Sequence, residues 1–391
     1  MVRMTAQGCT EPTLLHPVYL DCAATTPLES DVREVILQFL DDDYGNAGSR
    51  THEYGTRASK AIEQARAQVA ELVAAKPNEV IFTSGATEAD NLAILGLAAH
   101  GEESGRKHIV STAIEHNAVL EPLEALTRRG FVVDLIAPTS GGWVAPEAVS
   151  SAVRPDTLLV SVMHVNNETG VIQPIREICQ RLMDKDLYFH VDAAQGFAKD
   201  VEALCDERID LISASAHKIH GPKGVGALIA RRRGFNRVPL RPLLFGGGQE
   251  RGLRPGTLPV ALIAGFGAAV GLAKRKQNEW RDRCAAYRHR VLEALRRLDP
   301  VFNGDQARTL PHILNISFPG LDSEAVMVAL KDLVAISNGS ACTSQSYEPS
   351  HVLQAMDLDG DIIAGAIRIS WSHSTPDADW KAVAERIDAL R

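Results

Sequence analysis

The chain has 391 residues, of which 45% are hydrophobic and 23% charged, with a formal net charge of −8. That length exceeds one core and fits a large domain plus a smaller one, and the acidic balance argues against direct nucleic-acid binding. No stretch approaches the roughly 20 apolar residues of a membrane span, and the opening MVRMTAQGCTEP lacks the apolar centre of a secretory signal. Cys9, Cys22, Cys179, Cys205, Cys284 and Cys342 form no C-x-x-C pair. Reduced thiols in a cytoplasm are therefore expected, with neither a disulfide framework nor a zinc site.

Short runs rich in Val, Ile and Leu predict strands at Val80–Thr83, His108–Ser111, Val132–Ile136, Leu158–His164, Leu187–Val191 and Asp210–Ala216. Helical patterns lie between them, as at Arg57–Ala75 and Ala118–Arg129. This alternation predicts an α/β fold whose mostly parallel sheet is covered by helices on both faces, with ligands at the carboxyl ends of the strands. Beyond about Val270 the pattern changes. A long polar helix near Ala273–Leu298, a strand at Ile313–Phe318, a helix at Ser323–Leu330 and a final helix from Asp377 predict a smaller α/β domain. The expected division is a large domain over residues 18–270 and a small one over 271–391, joined by 1–17. The basic cluster Arg231–Arg233 reads as a solvated turn in preference to a phosphate-binding patch.

The chemistry gathers around Ser213–Gly224, SASAHKIHGPKG. Lys218 leaves a buried strand of small and β-branched residues, where an amine costs free energy unless its charge or nucleophilicity is used. A lone lysine in that place more often snorkels to solvent; the alternative is a Schiff-base lysine with a lowered pKa. Asp192 ends the preceding strand and would deliver a carboxylate to a cofactor edge. Thr83–Asn91, TSGATEADN, turns through Ser84 and Gly85 into a helix, exposing the N–H groups of Ala86, Thr87 and Glu88 to a phosphate. An ordinary capping box looks much the same. GPKGVG is no nucleotide P-loop, because Gly224 follows Lys223 where a Ser or Thr would hold magnesium. His217 and His220 lack a further ligand at matching spacing, so no metal is expected. Taken together, a phosphate cradle, a strand-end aspartate and a strand-end lysine describe a pyridoxal phosphate (PLP) site.

The motifs YLDCAATTP, FTSGATEADN, IEHNAV, MHVNNETG, HVDAAQ, SASAHKIHGPKGVGAL, GGGQERGLRPGT and SNGSACTSQSYEPSHVL resemble those of the cysteine desulfurases, class-V PLP enzymes of the NifS/IscS kind. The resemblance runs from about residue 18 to 375. It implies a PLP-dependent transferase of fold type I, with a mostly parallel seven-stranded sheet between helices in the large domain and a catalytic cysteine carried by the small one. Position by position, it implies that Lys218 carries PLP, Asp192 pairs with the pyridine nitrogen, Gln195 meets the phenolic oxygen and His116 stacks on the ring. Ala86, Thr87, Ser215 and His217 would bind the phosphate, with the partner subunit's Thr257 completing the cradle in a homodimer. Asn167 and Arg368 would hold the α-carboxylate of L-cysteine, for which a guanidinium fork is suited. A buried Arg–carboxylate pair within the protein is the alternative for Arg368.

SNGSACTSQS sets Cys342 among Gly339 and small hydroxylated residues, which predicts an exposed, mobile loop and a thiol of lowered pKa. The resemblance makes it the nucleophile that takes sulfur from the substrate and passes it on as a persulfide to an acceptor protein, an iron–sulfur scaffold or a DNA-sulfur-modification component. The other five cysteines read as structural. Cys22 stands where many relatives have asparagine and Ala216 where glycine is usual, yet neither change removes a chemical group from the scheme. Cys22 together with GNAGSRTHEYG is similar to the desulfurases of DNA phosphorothioation systems. Fold and cofactor alone leave room for an aminotransferase, a β-eliminating lyase or a non-catalytic sulfur-relay scaffold.

Overall fold

A computed structural model describes residues 16–339 and 349–391 of the chain. After a short strand β1 (Val18–Tyr19) come β2 (Val80–Thr83), β3 (His108–Thr112), β4 (Val132–Ile136), β5 (Thr157–Met163), β6 (Tyr188–Asp192), β7 (Leu211–Ser215) and β8 (Gly226–Ala230). Strands β2 to β8 form one seven-stranded sheet in the order β2-β8-β7-β6-β5-β3-β4, in which β8 runs antiparallel to both neighbours. Helices cover both faces, so β5 and β7 are buried throughout and read as continuous apolar runs instead of alternating ones.

The predicted strands all form, none displaced by more than a residue at either end. β8 is the strand the pattern misses: its short run GALIA follows directly on the Gly/Pro-rich turn and opens with a glycine, which ordinarily weakens a strand. That glycine is required. A Cβ on Gly226 would stand 2.7 Å from the Cα of Gly85 and 2.5 Å from the carbonyl oxygen of Ala214. Only a bare backbone lets β8 pass this close to the turn after β2.

A second core lies around β9 (Val301–Phe302), β10 (Ile313–Ser317), β11 (Val334–Ala335) and β12 (Ala366–Ser370). Strands β12, β10 and β9 pair antiparallel in that order, and β11 pairs with β1. Trp371, fully buried beside β12, donates its indole N–H to the carbonyl of Cys284 at 3.0 Å. Cys284 belongs to a helix that spans Val260–Leu295 and starts well before the expected Ala273. Its opening VALIAGFGAAVGLA is apolar on nearly every side because it is packed into the core of the large sheet, which hides the helical period. Its later residues Cys284, Tyr287, Val291 and Leu295 enter the second core, so one continuous helix serves both.

The Arg231–Arg233 cluster is solvated only in part: Arg233 is exposed, but Arg231 is not. Arg231 is buried and donates to the carbonyls of Leu204 (2.7 Å), Val73 and Asp206, while Arg233 meets Asp210 at 2.7 Å. Carbonyls left unpaired where several segments end converge on these guanidiniums, a long-range arrangement that a run of like charges does not disclose.

Candidate active site

Three strands and one turn deliver the site. Asp192 is the last residue of β6, in register with Met163 at the end of β5 and Ser213 in β7. Lys218 closes a short 3-10 turn, Ala216–Lys218, immediately after β7. The helix Ala86–Gly96 starts one turn beyond β2, and its N-cap, Gly85, offers no side chain to its first amides. All of this lies at the carboxyl edge of the parallel strands, where a cavity of about 480 Å³ opens. Ala86, Thr87, His116, Asn167, Asp192, Gln195, Ser215, His217 and Lys218 all line it.

The segment Cys22–Thr26 crosses this edge and fixes the polar groups. The carbonyl of Ala23 accepts from Lys218 Nζ and, at 2.8 Å, from Gln195 Nε2. Its own N–H goes to Ser370 Oγ on β12 at 2.8 Å. Thr26 Oγ1 donates to the carbonyl of His217 at 2.9 Å, and Thr25 Oγ1 lies 3.2 Å from His217 Nδ1. Burial, with Lys218 and Lys223 nearby, pushes the His217 imidazole down to about 4, so it meets an anion as a neutral group. His116 caps the helix Asn117–Thr127, its Nδ1 accepting from the N–H of Ala118 at 3.0 Å, and burial pushes its pKa down too.

Acids crowd the floor. Burial and the neighbouring Asp90 push Asp192 up to about 6, even though Oδ1 accepts from the N–H of Ala194 at 2.9 Å. Asp90 itself is pushed up to about 7 by burial and lies 3.4 Å from Nε2 of His190. Glu115, fully buried, is pushed up to about 8, with Oε1 accepting from Thr112 Oγ1 at 2.6 Å and from the N–H of Met163 at 2.9 Å. A cation placed beside Asp192 relieves this crowding, and the opposite end of the cavity, with the helix terminus and Lys223, suits an anion.

Arg368 on β12 lies just outside the cavity wall. It donates through Nη1 to the carbonyl of Asn167 at 2.9 Å and through Nη2 to Asp21 Oδ1 at 2.7 Å. The two alternatives for this arginine thus meet in one place: it is paired with a carboxylate of the chain, and it sits against Asn167. Thr257 is exposed and takes no part in lining the cavity of its own chain. Cys342 lies outside the described residues.

The aminotransferase class-V family model matches residues 18–383. The cysteine desulfurase IscS of Vibrio campbellii is 45% identical over 374 residues, covering 95% of this chain and 92% of the relative. The chain belongs to the class-V aminotransferases, among the cysteine desulfurases. Among solved structures, DndA from Streptomyces lividans is 50% identical with a TM-score of 0.80, over 90% of this chain and 99% of its own. A NifS-like protein is 35% identical with a TM-score of 0.85, over 96% and 98%.

Local sequence does not single out several residues of this desulfurase site. Asp90 lies within the motif FTSGATEADN, one helical turn after Ala86 and so on the same face, which is the signal that could find it. Asp21 and Ala23 act through partners distant in sequence, and nothing local marks them. The thiols of Cys22, Cys179 and Cys284 are pushed up by burial to about 11, 12 and 12, which keeps them protonated and unreactive at neutral pH. Four buried polar atoms at the desulfurase cavity, Gln195 Oε1, Ser215 Oγ and both carboxylate oxygens of Asp90, have no hydrogen-bond partner among the described residues. Such atoms call for a polar occupant. A phosphorylated, cationic aromatic ring fits this set: acid floor at one end, helix terminus and hydroxyls at the other.

Proposed function

We propose that this chain is a PLP-dependent L-cysteine desulfurase that converts L-cysteine to L-alanine and leaves the sulfur as a persulfide on Cys342. The observation that carries this reading is the single cavity shared by Lys218, Asp192 and the helix terminus at Ala86. Bound there, PLP supplies an electron sink for the bond changes at the substrate's Cα and Cβ. Lys218 holds the cofactor, and the Ala23 carbonyl orients its amine. Asp192 keeps a proton on the pyridine nitrogen by offering it a buried negative charge. Gln195 uses one N–H on Ala23 and retains the second for the phenolic oxygen. Ala86, Thr87, Ser215 and His217 take the phosphate, joined by the partner subunit's Thr257 in a homodimer.

His116, neutral at pH 7, presents its ring to the cofactor and can hold a proton near the substrate. Asn167 and Arg368 receive the α-carboxylate, which competes with Asp21 for the guanidinium fork. Cys342 attacks as thiolate: its sulfur bonds to the substrate sulfur, the substrate's C–S bond breaks, and cysteine plus thiol becomes alanine plus persulfide. The sulfur then passes to an acceptor protein in the cytoplasm, for DNA phosphorothioation or iron–sulfur cluster assembly. The 50% identity to DndA supports the first of these destinations.

The test is Cys342→Ser. The purified variant should stay yellow with bound PLP while alanine formation from cysteine falls to background. A variant that forms alanine at the parent rate, or a parent enzyme that turns cysteine into pyruvate, would overturn the assignment.

A further inference from the structure

Away from the PLP cavity, three metal-ligand side chains gather from separate stretches of sequence. Glu29 precedes the helix Ser30–Asp41, His220 follows Lys218 in the turn after β7, and His373 follows β12. Oε1 of Glu29 lies 3.1 Å from Nε2 of His373 and 3.8 Å from Nδ1 of His220. One ligand atom from each of the three falls within 4.8 Å of the others. Around a tetrahedral zinc with bonds of about 2.0–2.1 Å, neighbouring ligand atoms stand about 3.4 Å apart, so two of these separations already bracket what a shared ion requires.

The setting is preorganised. The side chains of His220 and His373 are only 7% and 8% exposed and that of Glu29 20%. His373 stacks on Trp280 with ring centroids 4.1 Å apart and planes 3° from parallel, which fixes its ring. His220 is held at φ +64°, a left-handed conformation uncommon for a residue with a side chain. Burial keeps both imidazoles neutral at pH 7, so each ring carries one lone pair; at His220 the proton sits on Nδ1, facing the Pro27 carbonyl, and must move to Nε2 before Nδ1 can bind a metal. A narrow cavity of about 70 Å³ runs beside the two histidines and has room for a water as a further ligand. Against the site stand one hydrogen bond to be released, from His220 Nδ1 to the Pro27 carbonyl at 3.0 Å, and the nearby cations Lys276, Arg283 and Lys199. These set a ceiling on affinity.

We propose that Glu29, His220 and His373 form a binding site for a zinc-type divalent cation, completed by water, that clamps the turn bearing Lys218 to the end of β12. The site is separate from sulfur transfer and stands whether or not the desulfurase reading does. The spacing of His217 and His220 hides it, because His217 turns into the PLP cavity while His220 finds its companions in distant segments.

The experiment is equilibrium dialysis of the PLP-loaded enzyme against Zn²⁺, with metal counted per chain, on a Cys342→Ala background that removes a thiol expected to be exposed. One Zn²⁺ per chain is expected, with affinity weakened at least tenfold by Glu29→Gln and by His373→Gln. Co²⁺ bound in place of Zn²⁺ should give visible d–d bands that each substitution abolishes. Glu29→Gln keeps the size of the side chain and carries the test if a histidine variant does not fold. Binding of no Zn²⁺, or binding that neither substitution weakens, overturns the proposal.

Discussion

Gly226→Ala tests whether the approach of β8 to the turn after β2 sets the shape of the anion-binding end of the site. The added methyl would lie 2.5 Å from the Ala214 oxygen and 2.7 Å from the Cα and carbonyl carbon of Gly85. Every one of these is a backbone atom, so no rotamer change gives relief. Restoring ordinary carbon contacts of about 3.5–4.0 Å moves the Gly85 turn and β8 apart by about 1 Å. Overpacking of this sort costs about 1–3 kcal/mol. Gly226 pairs with Thr83 on one side and Ser215 on the other, in the interior of the sheet, which places the expected loss near 3 kcal/mol, the upper end of that range. Gly85 is also the N-cap of the helix Ala86–Gly96, so PLP affinity should fall at least tenfold, about 1.4 kcal/mol. Urea unfolding of the cofactor-free chain reads the first quantity, and absorbance titration with PLP reads the second. A variant with the parent urea midpoint would refute the packing step. A destabilised variant that binds PLP as tightly as the parent would refute the link from packing to cradle.

Asp192→Asn should act in opposite directions with and without cofactor. The carboxyl is raised from 3.8 to about 6, so its ionised form penalises the folded, cofactor-free chain fully above about pH 6 and not at all below its unfolded value. The cofactor-free variant should therefore gain thermal stability over the parent at pH 8 but not at pH 4, while its affinity for PLP drops; a difference in melting temperature that does not vary with pH sinks this. Arg66→Ala should remove about 3–5 kcal/mol of stability, because it strands the buried carboxylate of Glu250. Arg66 now meets that carboxylate with two bonds of 2.7 and 2.9 Å. A loss under about 1 kcal/mol in urea unfolding would show that the remaining bond from the N–H of Phe82 (2.8 Å) is enough to hold it.

Strands were legible in the sequence because burial on both faces makes β5, β6 and β7 nearly continuous apolar runs, and the ends of β6 and β7 are marked by the polar residues Asp192 and Ser215 that line the site. The same cause obscured the start of the Val260–Leu295 helix, where burial on all sides erases the polar face that declares a period. Lys218, Asp192 and the Ala86 helix terminus were legible as types at strand and helix ends. What they touch was not. The pairing of Arg368 with Asp21, the shared acceptor at Ala23 and the cluster of Glu29, His220 and His373 all join residues far apart along the chain, and local pattern carries no information about such encounters.

Mutational scanning reads side chains, and one of the governing atoms here belongs to none. The oxygen of the Ala23 peptide takes a proton donor from Lys218 and another from Gln195, while the same residue's amide leans on Ser370. Substituting alanine at that position is no substitution at all, so a scan would score it as inert. Replacing the peptide linkage by an ester, or displacing Ser370, would instead expose how strongly a residue with almost no chemistry of its own governs the pose of the lysine.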